Sequence, residues 1–469
     1  MTTTTTDSPP PSEDEPTTSP PKPPAAGGQR RAVPLRTAVQ LLARRVHFMA
    51  GLVVAPFLAV MCLTGLAYAF TPQINELLYS EEYFIENATG PTRPLSEQVN
   101  AAQAAHPDGR VTSVITPPEP DRTTRVVLSV PGLKPGDAFS SESLTVYVDP
   151  YTNKVTGELV TISNEPPSQS WLRSLHSSLH LGDVGSFYSE FVASWLPVII
   201  LGGLVLWLGQ RRRKNRLRQA LLPSVRQSTG RARLHGLHGA LGLWLSIGLL
   251  AISGTGLTWS TYAGKRVDQA IEALDAKSPS LTAPKVVPPA GAQPITVDRA
   301  TEIARAEGLQ GELTITTPSS PDKAFKVSET AKGLPIQKDS IAIDPYSAQT
   351  TASIGWDDFP FLSKLTTLGI QAHSGTLLGL ANQIALALLA VGALVLLALG
   401  YRMWWQRRPA GGSMATPPVW RRMPQPVVFL LVLVIVGIGW AMPVFGVTLV
   451  AFIVLDSMVN ANKRRRAAV

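Results

Sequence analysis

Apolar positions gather into five long runs, Phe48–Phe70, Phe191–Leu208, Leu241–Trp259, Leu377–Tyr401 and Pro426–Leu455. Runs of about 18 or more apolar residues predict membrane-spanning helices. The last run is too long for one span and carries Pro443 near its middle. It predicts two short spans, roughly Val427–Ala441 and Val444–Met458, joined by a tight break. The stretches between runs, about Thr71–Ser189 and Ser260–Thr376, have other periods. In the first, "LSEQVNAAQAAH" has helical spacing, with Ser96 placed to cap it. Strand-like pieces follow at Val111–Thr116, Thr124–Val130, Leu144–Val148 and Lys154–Val160, and Leu144, Val146 and Val148 alternate with polar partners. The second stretch predicts a helix around Val297–Glu307 and a strand at Ile341–Ile343. The expected fold is a mainly α membrane protein of about six transmembrane helices in a duplicated arrangement, carrying two α+β domains outside the cytoplasm.

Composition sharpens the topology. The 469 residues are 45% hydrophobic and only 16% charged, with a net charge of +9. The cations cluster beside the apolar runs, at Arg30–Arg45, Arg211–Arg233, Arg402–Arg422 and Lys463–Arg466. That placement follows the positive-inside rule and argues against a nucleic-acid surface. Six spans with both termini in the cytoplasm put every cluster on one side. The single cysteine, Cys62, lies inside the first span, so no intramolecular disulfide can staple the outer domains. Residues up to about 32 are Thr, Pro, Ser and Glu with almost no large apolar side chains, the composition of a disordered tail. Ala67-Tyr68-Ala69 looks like a signal-peptidase site. The region before it is too long for a signal peptide, and the apolar stretch is of full membrane length.

The chain is written twice. "TGLAYAF" at Thr64 matches "TGLTWST" at Thr255, each 17 residues beyond a histidine, His47 or His238. "VYVDPYTNKVTGEL" matches "IAIDPYSAQTTASI", "HSSLHLG" from His176 matches "HSGTLLG" from His373, and "WLGQRRR" matches "WWQRR". The offset drifts only from 191 to 197 residues. Each half is one span, one outer domain, one histidine-bearing turn and a second span. Both halves start on the same side, which predicts parallel repeats about an axis along the membrane normal.

Six of the seven histidines lie at the ends of predicted spans, and His106 alone stands apart, at a helix end, as a surface residue. His47, His235 and His238 fall at the cytoplasmic ends of spans, His176, His180 and His373 at the outer side. A single interfacial histidine is usually just a polar residue, but six in this pattern, with two pairs related by the repeat, point to function. Neutral imidazole ligates haem iron, zinc or copper. A zinc-like site would use His176 and His180 on one helix face, with only Asp183 and Glu190 to complete it. A bis-histidine haem instead needs ligands on opposite faces of the ring, which one helical turn cannot supply. The repeat pairs His176 with His373 and His47 with His238, one site near each membrane face. His180 and His235 remain alternative ligands, neighbouring donors or spectators. Gly51, Gly65, Gly242, Gly254, Gly256, Gly375 and Gly379 leave room for a flat cofactor or for close helix packing. Arg44, Arg45 and Arg173 are placed to meet propionates or to signal topology.

The motifs "RRVHFMAGL…LTGL", "LHSSLHLGDVG…LVLWLGQRR", "LHGLHGALGLWL…SGTGLTW" and "AHSGTLLG…YRMWWQRR", with the two "DPY" turns, resemble the PepSY-associated transmembrane proteins. These are iron-regulated membrane proteins that include haem-containing ferric-siderophore reductases. The resemblance covers about Ala38 to Leu455. It implies PepSY-like domains at 71–168 and 261–366. These lie between helix 1 (38–70), a histidine-bearing turn with helix 2 (169–210), a basic loop (211–234), helix 3 (235–260) and a second turn with helix 4 (367–405). A cytoplasmic loop (406–425), a C-terminal hairpin (426–459) and a basic tail (460–469) follow, and residues 1–37 form the cytoplasmic tail. It further implies a protein of the cytoplasmic membrane that carries electrons outward through two b-type haems to a ferric siderophore or other ferric chelate. No dinucleotide fingerprint is present, so a quinone or a separate reductase would be the donor. The competing class is a non-enzymatic PepSY regulator or sensor, for example of a peptidase. A metal permease is disfavoured, because no span has an acidic residue near its centre.

Overall fold

In the computed structural model the described residues are 1–4, 34–136, 140–209, 230–406 and 423–466. Most of the N-terminal tail and of the two loops expected around 211–234 and 406–425 lies outside them. The first apolar run is part of one helix, α1 (Leu35–Ala69), followed by α2 (Thr71–Leu78), α3 (Ser80–Tyr83) and α4 (Leu95–Ala105). Strands β1 (Arg110–Ile115), β2 (Thr124–Ser129), β3 (Glu142–Val148) and β4 (Val155–Ile162) lead to α5 (Pro167–Ser178) and the long α6 (Gly182–Gly209). The second half has α7 (Gly230–Thr258), α8 (Ala263–Ala273) and α9 (Val297–Ala306). It continues with β5 (Leu313–Thr316), β6 (Phe325–Glu329), β7 (Ser340–Ile343), β8 (Thr350–Ile354), α10 (Phe361–Ser374) and α11 (Leu380–Trp405). Helices α12 (Gln425–Ala441) and α13 (Pro443–Arg466) close the chain, broken at Pro443 where a helix interior lacks an N–H to donate.

Four helices, α1, α6, α7 and α11, are long and apolar enough to cross a membrane, and α12 and Pro443–Val459 are shorter apolar helices. The chain is a membrane protein. The four long helices pack in a closed ring, α1 on α6, α6 on α7, α7 on α11 and α11 back on α1. They pack through Ala50, Val54, Leu58, Val192, Trp195, Leu196, Leu249 and Ala393, a buried cluster that also takes in Phe445 of the C-terminal hairpin. The hairpin docks on the outside of this ring. Phe445 packs on Trp195 with ring centres 4.9 Å apart, the Trp195 Nε1–H donates to Thr448 Oγ1 at 2.8 Å, and Arg45 pairs with Asp456 at 2.5 Å.

The two outer stretches each keep a hydrophobic core of their own. Their strands join into one eight-stranded antiparallel sheet of order β4-β3-β2-β1-β5-β6-β7-β8, a palindrome about the β1–β5 seam. There Val114 stands opposite Ile315 and Ser113 opposite Thr316. The Thr116 hydroxyl accepts from the Leu313 amide, the Thr317 hydroxyl donates to the Val111 carbonyl, and Arg125 pairs with Glu312 across the halves. Sequence periodicity could not foresee this junction, because edge pairing of β1 and β5 links residues about 200 apart. Ser96 does not cap α4 with its side chain; its amide donates to the Asp298 carboxylate of the other half. Alternation in β3 is also incomplete. Thr145 and Tyr147 are buried on the second face, where Tyr147 packs on Tyr83 with ring centres 5.6 Å apart. His106 is not isolated, since its Nε2 lies 2.5 Å from Glu158. The two "DPY" turns are built alike. Asp149 and Asp344 each accept from the tyrosine amide two residues on, at 2.8 Å. The Tyr151 and Tyr346 hydroxyls donate to the carbonyls of Pro120 and Pro321.

Leu313→Ala, which empties a fully buried position at the seam, should destabilise the sheet by about 2–5 kcal/mol. The exposed neighbouring Thr316→Ala should stay within about 0.5 kcal/mol. Thermal unfolding of the purified full chain in detergent, followed by circular dichroism, compares the two.

Candidate functional site

The helix ring is capped at its sheet end by α5 and α10, which rest on α1 and α7 respectively. Both turns out of these helices use left-handed backbone. Gly182 and Gly379 share φ +55, and the Ser178 carbonyl occupies the place of a side chain at Gly185, so the corner between α5 and α6 closes only on glycine. This corner decides the fate of the first histidine pair. Helix α5 ends at Ser178, and Leu179 and His180 take φ of 50° and 57°. His176 and His180 therefore do not share a helix face. His180 swings out, exposed, against Trp171 with ring centres 5.1 Å apart.

His176 turns the other way, onto α1. Its Nδ1 lies 3.0 Å from Thr64 Oγ1, its ring is parallel to Tyr68, and a Cβ added at Gly65 would come within 2.9 Å of its Cε1. His373 on α10 repeats this against α7. Its Nδ1 lies 2.8 Å from Thr255 Oγ1, and a Cβ at Gly256 would meet its Cε1 at 3.3 Å. The two rings face one another across the halves with centres 6.4 Å apart. Burial, then the neighbouring His373 ring, holds His176 well below the usual histidine range, and burial lowers His373 as well. Both imidazoles are neutral near pH 7, the form that binds metal.

At the far end of the ring the pattern recurs with other partners. His47 on α1 has its Nδ1 2.7 Å from the Ile199 carbonyl of α6, and a Cβ at Gly203 would lie 3.0 Å from its Cε1. His238 on α7 has its Nδ1 3.2 Å from the Leu396 carbonyl of α11, with Gly400 beside it. These two ring centres are 6.2 Å apart. His47 precedes Thr64, and His238 precedes Thr255, by 17 residues. At 1.5 Å per residue the two pairs lie about 25 Å apart along the helices. All four rings are half-buried, whereas His180 and His235 are exposed.

A bound transition metal sits about 2 Å from an imidazole nitrogen, which is roughly 1.1 Å from its ring centre, so two rings sharing one metal from opposite sides stand about 6.3 Å apart. Both pairs match that spacing. Each Nδ1 is engaged, leaving Nε2 as the ligand atom, and the rings of His176, His47 and His373 lie against glycines, Gly65, Gly203 and Gly256, where a Cβ would come within 3.3 Å. The residues fit a bis-imidazole iron in a flat macrocycle. They do not fit the zinc alternative. Glu190 is fully buried with its oxygens taken by the Tyr262 and Ala263 amides, Asp183 is exposed, and no group of three or more metal-binding side chains occurs among the described residues. Arg45 and Arg173 are engaged by Asp456 and Glu165, and Arg44 is exposed. Sequence reasoning missed Thr64, Thr255, Gly203, Gly400 and Tyr68 as ring partners. The threonines and glycines were findable, because each recurs at the offset of the repeat.

A family model described as the PepSY-associated TM region matches residues 44–407. The match contains both histidine pairs and ends before the C-terminal hairpin. Comparison with curated proteins gives no match.

Diethylpyrocarbonate should modify His180 and His235 first, with His47, His176, His238 and His373 reacting several-fold more slowly. Peptide mass spectrometry of the full chain over a time course reads the order.

Proposed function

Since the chain belongs to the PepSY-associated transmembrane family, we propose that it is a haem-b protein that moves electrons outward across the cytoplasmic membrane to a ferric siderophore or other ferric chelate. The observation that carries this reading is the pair of cross-half imidazole couples, 6.4 Å and 6.2 Å between ring centres, at opposite ends of one helix ring. Haem, when bound, supplies a one-electron ferric–ferrous couple whose potential the axial ligands and their surroundings tune. His176 with His373, and His47 with His238, would hold one haem each.

The remaining residues supply the conditions for such transfer. Thr64, Thr255 and the carbonyls of Ile199 and Leu396 hold the rings in one orientation and leave Nε2 unprotonated. Gly65, Gly256 and Gly203 keep the ring edges clear. Between the levels of the two pairs the helices pack through apolar residues, including Val54, Leu58 and Leu249, that keep water out. Basic residues near the far end favour the cytoplasm and put the sheet outside, so that six spans, counting α12 and α13, leave both termini inside. The two halves of the sheet are read as duplicated PepSY-like domains beside the outer pair, where a ferric complex would arrive. Fe(III) leaves hard oxygen chelators far more readily once it is reduced. A quinone or a separate reductase would donate at the inner pair.

The purified full chain, expressed with haem supply, should show a Soret band and two b-type haems. His176→Ala and His47→Ala should each leave one, and His180→Ala should leave both. Dithionite-reduced protein should be reoxidised by ferric siderophores. No Soret band in the unsubstituted protein would overturn the reading in favour of a regulator, and haem with no reoxidation would remove the ferric substrate.

A further inference from the structure

All four imidazoles engage Nδ1, yet the acceptors differ systematically between the two ends. At the far end they are main-chain carbonyls in the middle of spanning helices, Ile199 and Leu396. Gly203 and Gly400 stand one turn beyond those carbonyls and carry no side chain to cover them. At the sheet end each ring meets a threonine hydroxyl, Thr64 alone for His176 and Thr255 together with the Ile252 carbonyl for His373. Thr64 Oγ1 also lies 3.0 Å from the Val60 carbonyl and 3.2 Å from that of Met61. Thr255 Oγ1 likewise lies 2.9 Å from the Ala251 carbonyl and 3.1 Å from that of Ile252. A hydroxyl has one hydrogen, and with backbone carbonyls in reach to take it, Oγ1 can accept from the ring Nδ1–H, the direction that ligation through Nε2 requires. The tautomer is thereby the same at all four rings, with Nε2 free, while the acceptor strength is not. An amide carbonyl draws on the Nδ1–H more strongly than an alcohol oxygen, making its imidazole the better electron donor to a metal. A stronger axial donor stabilises ferric over ferrous iron and lowers the reduction potential.

We propose that Thr64 and Thr255 are positioning residues that make the sheet-side imidazoles weaker donors than the far pair, so that the sheet-side site has the higher reduction potential. The inference rests on the haem reading above, and it supplies a direction for electron transfer between the two ends. Substituting a hydroxyl for a carbonyl acceptor grades the two ends without changing a ligand. The two sheet-side rings are not equivalent, since His373 also reaches the Ile252 carbonyl, whereas His176 depends on Thr64. Thr64 is therefore the more sensitive position.

The test is a spectroelectrochemical titration of the haem-loaded full chain, its two midpoints assigned with the single-site variants His47→Ala and His176→Ala. In the unsubstituted protein the higher midpoint should be the one lost with His176. Thr64→Val removes the acceptor and should raise that midpoint by up to about tenfold in the ferric–ferrous equilibrium, about 59 mV for one electron. It should leave the far midpoint in place. Thr255→Val should shift it less, and Thr64→Ser should restore it. If Thr64→Val fails to hold haem, Thr64→Cys, whose thiol is a weaker acceptor, should give the same sign. A lower or equal sheet-side midpoint, or valine variants that move both sites alike, would overturn the inference while leaving the haem reading intact. Absence of haem in the unsubstituted protein overturns both.

Discussion

Each imidazole couple takes one ring from each half of the chain, and everything else in the structure serves to keep those halves in register. Neither half alone can bring two histidines to 6.4 Å or 6.2 Å of one another. Two separate contacts enforce the pairing. In the helix ring, α1 touches both α6 and α11, and α7 does the same from the opposite corner. In the sheet, β1 and β5 exchange backbone hydrogen bonds along the seam. A shift of one residue at the seam would invert the strand faces, exposing Val114 and Ile315, both fully buried. The sheet thus acts as a rigid clamp over the end of the ring where α5 and α10 present His176 and His373.

The histidine-bearing corners show how local backbone rules reach the site. In α5 the helix stops two residues before His180, which therefore does not stack over His176, because the chain must turn sharply into α6. That turn places two non-glycine residues in left-handed backbone and brings the Ser178 carbonyl against Gly185. The second half ends α10 with Gly375 in the same left-handed region and has Leu377 where the first half has His180. The extra histidine therefore lies outside the symmetric site and stacks on Trp171.

The halves are alike but not interchangeable. Glu190, fully buried, accepts from the amides of Tyr262 and Ala263 at the start of α8, while the corresponding place in α11 is apolar. A carboxylate there offsets the unpaired N–H groups and positive dipole of the helix start. The hairpin α12–α13 docks on one side, through Trp195, Thr448, Arg45 and Asp456. The repeat position of Trp195 is Gly392, which instead packs against Leu245. The asymmetry thus sits on the outer flank of the ring rather than between the imidazoles.

Much of this was legible in the residues themselves. Hydropathy runs marked the spanning helices, the break at Pro443 divided the last run, and the repeated "TG", "DPY" and "HS" motifs paired His47 with His238 and His176 with His373. Those features are local in sequence or recur at a fixed offset, so one-dimensional pattern carries them. What only the tertiary structure decided were contacts between positions distant in sequence. These were the fusion of two outer units into one sheet, the capping of α4 by Asp298, the burial of both faces of β3, and the exclusion of His180 and His235 from the ring pairs. Edge pairing, helix rotation and the sharp corner at Gly185 determine which side of a residue meets protein. A periodic pattern records only that a residue is polar or apolar, and it does not record what stands opposite.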